Sequence, residues 1–203
     1  SQLEKLHIAA SRHEPLVELY LDRVENIGEV RDKTRLLRKV ARVLSEKLDQ
    51  KEPAYDALET ALSLDYRDED TIEYIEELAA ETQRWAALVQ VVNQWLETAT
   101  APRTKVALCL LLAKWYGEHL DRPDYAQPYY AQVTNLDPNN VQALRQQASF
   151  LKKNAQFQQA GQLLTQAEQA ASKREKAAIQ TDIGELLAKH MDQGDKAVVY
   201  YER

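Results

Sequence analysis

The sequence is short of residues that build special sites. It has one cysteine, one methionine, two phenylalanines, five glycines and six prolines in 203 residues. A single cysteine, Cys109, excludes an intramolecular disulfide framework and a cysteine-based zinc cluster, and it fits a reducing, cytoplasmic compartment. Five scattered glycines leave no phosphate-cradling loop, and no nucleophile elbow or dinucleotide fingerprint occurs. Basic residues are outnumbered, 26 Lys and Arg against 32 Asp and Glu. A net charge of −6 argues against nucleic acid as the main partner, because phosphate binding needs a dominant basic surface. The longest apolar run, VALCLLLA at 106–113, is far short of the roughly 20 residues that cross a bilayer. The opening SQLEKLHIAASRHEPL lacks a signal peptide's apolar stretch.

What is abundant is Ala, Leu, Glu, Gln and Lys, a helix-former's composition. Apolar residues recur at helical spacing through 32–48, 52–64, 69–81, 85–98, 103–119, 124–136, 140–153, 157–171 and 174–190. No segment alternates with period 2. Turn residues cluster at DQKEP, DYRDED, TATAPR, DRPD, DPNN and QGD. The pattern predicts an all-α chain of about twelve antiparallel helices.

The chain also repeats. At an offset of 72, Leu48-Asp49 falls on Leu120-Asp121, Ala54 on Ala126, Leu64-Asp65 on Leu136-Asp137, Trp85 on Phe157 and Leu16-Val17 on Leu88-Val89. Near the end the offset is 71, with Leu120-Asp121 on Met191-Asp192 and Tyr130 on Tyr201. Each unit divides into two helical hairpins, expected at about 1–28, 32–65, 68–98, 103–137, 140–171 and 174–203, the first and last partial. The extra residue that makes the period 72 is expected between the helices, in LDQKEPA and LDRPDYA.

Ala126, Tyr130, Val133 and Leu136-Asp137-Pro138-Asn139-Asn140 resemble the second helix and terminator of a tetratricopeptide repeat. Leu112-Ala113 with Tyr116, Val40-Ala41 with Leu44, and Ile183-Gly184 with Leu187 resemble the family's first helix. Tyr66 in place of the terminal proline and Glu76 in place of a small residue depart from it. The resemblance implies one array over 1–203, a right-handed α-solenoid that continues into further repeats in a longer protein.

Candidate chemistry is sparse. His7, His13, His119 and His190 form no metal-binding spacing, and His119 and His190 fall at helix ends, where imidazole meets the C-terminal dipole. Cys109 reads as a buried inert thiol, and Trp85, Trp95 and Trp115 as packing residues. DYRDED lacks the glycine and final glutamate of a calcium loop. No enzyme, cofactor or metal is expected.

The resemblance places first helices along a partner-binding groove. Its expected lining is Arg35, Arg38, Lys39 and Arg42, then Glu73, Tyr74 and Glu77, then Lys114, then Gln142, Arg145 and Gln146. The implied function is a non-enzymatic scaffold for a protein or peptide. One rival is a regulatory domain that senses a peptide or ligand and controls an attached domain; the full-length chain separates the two. A second rival, RNA binding, needs a basic groove and a repeated base-reading code, which Arg35, Glu73 and Gln142 do not form. For Arg35, Arg38 and Arg42 two readings stay open: an internal ladder with Glu73 and Glu77, or a grip on an acidic segment.

Overall fold

The computed structural model describes residues 2–202, and among these it contains helices and no strand. The helices are α1 (Gln2–Ala9), α2 (His13–Asn26), α3 (Val30–Lys47), α4 (Lys51–Leu64), α5 (Glu69–Glu81), α6 (Trp85–Thr98), α7 (Pro102–Lys114), α8 (Pro123–Leu136), α9 (Val141–Lys153), α10 (Phe157–Ala170), α11 (Lys173–His190) and α12 (Gly194–Tyr201). A π-helical turn, Trp115–His119, extends α7. The chain forms two compact units, one ending at Val91 and the other beginning at Val92. In the first, α1 pairs with α2 and α3 with α4, while α2 packs on α3 and α4 on α5. In the second, α7 pairs with α8, α9 with α10 and α11 with α12, while α8 packs on α9 and α10 on α11.

Apart from α1, which buries no residue, the helices bury the stripe their periodicity marks. On α3 this is Leu36, Leu37, Val40, Ala41 and Leu44, while its arginines face outward or sideways. On α7, Ala107, Leu108, Cys109, Leu111, Leu112 and Ala113 are all buried. Helix starts use different devices. Pro102 and Pro123 open α7 and α8, where the missing N–H costs nothing. Asn140 caps α9 by accepting from the Ala143 N–H at 3.1 Å. Ser172 and Glu175 meet at the start of α11, where the Ser172 N–H donates to Glu175 Oε2 at 2.9 Å. Pro138, in the terminator of the repeat motif, lies in the turn before the Asn140 cap, and its carbonyl accepts from Gln166 Nε2 at 2.8 Å.

The 72-residue period is written in the backbone. Each first helix ends on a residue in the left-handed region: Ser11, Asp49, Gln83, Asp121, Ala155 and Asp192. Ser11 to Gln83, Asp49 to Asp121 and Gln83 to Ala155 are each 72 apart, and Asp121 to Asp192 is 71. The residue after each one donates its N–H back to the helix, closing the free carbonyls of the last turn. Two turn widths alternate. Arg12, Arg84 and Gln156 reach back five residues, to His7, Ala79 and Leu151. Gln50, Arg122 and Gln193 reach back six, to Leu44, Tyr116 and Leu187. The extra residue therefore sits in the final turn of the first helix, upstream of the left-handed residue, and not in the connection as the sequence led us to expect. In α7 it takes the form of the π turn, with the Leu120 N–H on the Trp115 carbonyl at 2.9 Å.

Five residues after every left-handed residue comes a buried contact on the second helix: Leu16, Ala54, Leu88, Ala126, Ala160 and Ala197. Its counterpart on the first helix is small where the turn is wide. Ala41 and Ala113 are wholly buried, and Gly184 lies beneath the Tyr201 ring, where an added Cβ would stand 2.7 Å from a ring carbon. Ala113 shares its cluster with Cys109, Ala126, Tyr130, Val133 and Ala143. In the α1–α2 hairpin the counterpart is Glu4, and polar contacts replace the close approach. Glu4 accepts from the Tyr20 hydroxyl at 2.8 Å, Arg23 at 3.2 Å and Lys39 at 3.1 Å. The Tyr20 bond, together with Lys39, holds the Glu4 carboxyl down to about 2, while burial and Glu4 push the Tyr20 phenol up to about 12.

Three outcomes follow for stability. Ala113→Leu overfills a wholly buried contact and is expected to cost about 1–3 kcal/mol in a chemical melt. Ala155→Gly removes left-handed strain worth about 1–2 kcal/mol against a flexibility cost of roughly 0.5–1 kcal/mol, so the same melt should show a net gain. Glu4 has a lowered pKa in the folded state, so its contribution is full above its ordinary value of 4.5 and is lost as pH falls toward 2. Glu4→Gln should therefore melt below the parent at neutral pH, with the gap closing across that acid window.

Candidate functional site: two polar recesses between first helices

In the first unit, α3 and α5 flank a recess of about 460 Å³, lined by Arg35, Arg38, Lys39, Arg42, Glu46, Asp70, Glu73, Tyr74 and Glu77. The structure thus brings together all seven candidates from these two helices. The α3 wall is a helical face, since Arg35, Arg38 and Arg42 follow i, i+3, i+7 spacing.

Its basic side chains are already engaged. Arg38 is the most enclosed, at 18 % side-chain exposure. It bonds the Asp68 carboxylate, the Thr71 hydroxyl at 3.2 Å and Asp70 at 2.9 Å, and the Thr71 hydroxyl in turn donates to Asp68. Asp68 is the N-cap residue of α5, so this cluster also places a negative charge at a helix start. Lys39 lies on Glu4 at 3.1 Å and over the Tyr20 ring at 5.4 Å. Arg35 meets Asp32 at 3.3 Å, and Arg42 meets Glu46 at 3.6 Å. Those last two pairs are exposed, a setting in which ion pairs are worth only about 0–1 kcal/mol. Arg42 also sits 6.0 Å from the Tyr74 ring centre, and the Tyr74 hydroxyl lies 2.6 Å from Ser45 Oγ. Burial pushes the Tyr74 phenol up.

A ladder from α3 to α5 is therefore present, but with different partners from those the sequence suggested. Glu73 and Glu77 make no ion pair with the arginines. Arg38 instead meets the first turn of α5 at Asp68 and Asp70, because that turn, and not the middle of the helix, stands opposite it. Asp68 could have been found in the sequence as a helix-capping residue; its pairing across to α3 could not.

In the second unit, α9 and α11 flank a recess of about 540 Å³. Gln142, Arg145 and Gln146 line it as expected, joined by Val141, Ala148, Ser149 and Lys152 of α9, Leu164 of α10, and Arg174, Glu175, Ala178 and Asp182 of α11. Arg145 donates through Nε and Nη2 to Asp182 Oδ2, at 2.9 and 2.6 Å. Arg38 and Arg145 hold matching positions: each lies three residues before a buried alanine, Ala41 or Ala148, and each bridges to the next first helix. Glu175 is held by Ser172, which draws its carboxyl below the ordinary range. Lys114 ends α7 and lines neither recess.

The remaining candidates behave as packing residues. Burial pushes the Cys109 thiol up to about 11, which suppresses the nucleophilic thiolate. His190 closes α11 and stacks on Phe157 at 4.6 Å. His7 ends α1 and His13 begins α2. Trp115 is wholly buried, whereas Trp85 and Trp95 are half-buried. The sequence reading missed an aromatic stack at the α7–α8 turn. Tyr116 lies between Tyr125 and Tyr129, at 5.5 and 5.8 Å, with the Arg122 guanidinium 3.9 Å from the Tyr125 ring centre. Tyrosines spaced along α8 were the available signal. Among the described residues no cluster of His, Cys, Asp or Glu could hold a metal ion, and no helix is long and apolar enough to cross a membrane.

No family model matches the sequence, and no curated protein matches it. Solved structures do. The chain is similar to PilF of Pseudomonas aeruginosa, with a TM-score of 0.58 and 18 % identity over 98 % of this chain and 86 % of that one. It is also similar to a MamA protein, with a TM-score of 0.53 and 13 % identity over 83 % and 88 %. A further MamA, from Desulfovibrio magneticus RS-1, gives a TM-score of 0.51 and 15 % identity over 84 % and 92 %. These are tetratricopeptide-repeat proteins, and at such identities the likeness is one of fold. Alternating left-handed turns, small helix contacts and these neighbours agree: the chain has the all-α, tetratricopeptide-like helical-repeat fold of the solenoid class.

Proposed function

We propose that this chain is a non-enzymatic protein-interaction scaffold that holds partner segments against its first helices. The observation that carries the reading is the pair of open recesses between successive first helices, one in each unit, lined by polar side chains on rigid walls. Residues fixed on helices keep their geometry better than residues on loops, and stacked hairpins expose an extended face in place of a closed pocket. In the first unit the contact residues are Arg35, Arg38, Lys39, Arg42, Glu73, Tyr74 and Glu77. In the second they are Gln142, Arg145 and Gln146, and Lys114 contributes outside the recess. The neighbours of this fold support the reading in its coarse form, that of a protein that binds proteins.

The scaffold assignment is tested without knowing the partner. Peptides selected from a random display library against the immobilised chain are titrated into isotope-labelled protein. Amide shifts are expected on α3 and α5, or on α9 and α11. Failure to select any peptide, or shifts confined to the second helices, would overturn the proposal.

A further inference from the structure

The two recesses resemble one another in construction and differ in which charges they leave uncompensated. Around the first, all four basic side chains have a carboxylate: Asp32 for Arg35, Asp68 and Asp70 for Arg38, Glu4 for Lys39 and Glu46 for Arg42. In the second the balance is reversed. Asp182 is taken by Arg145, while Glu175, hydrogen-bonded to Ser172, keeps its charge; with Arg145, Lys152 and Arg174 against these two carboxylates, the lining carries an excess of one positive charge. Among the described residues Lys152 and Arg174, from opposite walls, have no carboxylate partner, and the side chains of Gln142, Gln146 and Ser149 make no hydrogen bond. Lys152 is half-buried and Arg174 is exposed, so both cations can reach a ligand in the recess.

We infer that the recess between α9 and α11 binds an acidic peptide segment, with carboxylate side chains meeting Lys152 and Arg174 and backbone amides meeting Gln142, Gln146 and Ser149. This rests on the scaffold reading and assigns the partner's chemistry at one of its two sites. The basic face of α3, which the sequence marks most clearly as an acid-binding surface, is not that site, because its cations are neutralised before a ligand arrives. The chain's net charge of −6 does not oppose the assignment, since a local field is set by charges within about one Debye length, roughly 8 Å in physiological salt. From Val141 to Lys152 the α9 wall rises about 16 Å at 1.5 Å per residue, room for about five residues of extended chain. Val141 and Ala178 are the accessible apolar residues of the lining, on which a small apolar side chain of the segment would rest.

The experiment uses three fluorescent peptides of equal length: one rich in Asp and Glu, one with every acid replaced by Lys, and one with every acid replaced by Gln. Anisotropy is read against the whole chain, against Lys152→Glu with Arg174→Glu, and against Arg31→Glu with Lys47→Glu, two exposed α3 residues that line neither recess. The acidic peptide should bind best, weaken with added salt, and lose roughly tenfold or more in affinity on the Lys152 and Arg174 reversal. The α3 reversal should leave its affinity within about twofold, since those two side chains lie outside both recesses. Both variants alter exposed or half-exposed side chains, and a thermal melt matching the parent keeps a loss of binding attributable to charge. If the Gln or Lys peptide binds as well as the acidic one, the acidic assignment fails while the scaffold reading stands. An acidic peptide that loses affinity only on the α3 reversal, or on neither, also overturns it. A single-stranded oligonucleotide of equal charge that competes fully would reassign the recess to phosphate and overturn the peptide assignment.

Discussion

The structure depends on one local constraint: a first helix must stop in a left-handed residue so that the second can fold back against it. No glycine supplies any of the six. Asp takes three of the positions, and Ser, Gln and Ala the others. Asp tolerates this conformation better than most side chains, and each left-handed residue frees the next N–H to close the helix end. That closure fixes where the second helix begins, and so places a buried residue five positions on in every hairpin. The core follows from this geometry, as alanines and leucines meet at the crossing and larger side chains fill the space beside it.

The turn also governs the alternation of hairpins. Where the back-bond spans six residues, the facing contact is Ala41, Ala113 or Gly184. Where it spans five, the corresponding residue is polar in one hairpin, Glu4, and small in another, Ala148, so the tight turn accepts either. Glu4 shows how a charged residue survives at a helix crossing. Three hydrogen-bond donors, from Tyr20, Arg23 and Lys39, compensate the carboxylate. Through Lys39 that hairpin is tied to α3, and the tie removes one cation from the recess beyond it.

Charge at the recesses follows the same logic of internal compensation. An arginine three residues before the buried alanine bridges to the next first helix in both units, as Arg38 and Arg145. Such a bridge joins neighbouring hairpins and uses up guanidinium charge. What is left over defines what each surface can bind. A row of arginines with carboxylates at hand leaves little free positive charge, whereas a lysine and an arginine without them leave positive potential exposed to a partner.

Most of the fold was legible in the sequence, because its determinants are local and periodic. The 72-residue offset, the helical stripes and the small residues at Ala41, Ala54, Ala113 and Ala126 need only spacing to be read, and burial at a helix crossing is what makes those types recur. The seven candidate residues of α3 and α5 were legible for the same reason, since one helical face is fixed by sequence spacing. Two things needed the tertiary structure. The extra residue of the wide hairpins lies inside the last turn of the first helix, because hydrogen-bond closure, not chain length, decides where a helix ends. And the partners of the charged residues were out of reach of the sequence: one of the two open readings set Arg38 against Glu73 and Glu77, whereas it meets Asp68 and Asp70, and Lys152 and Arg174 gained significance only when α9 and α11 were brought face to face. Charge pairing acts over a few ångströms between elements 30 or more residues apart, as from Arg38 to Asp68, and no periodicity records that distance.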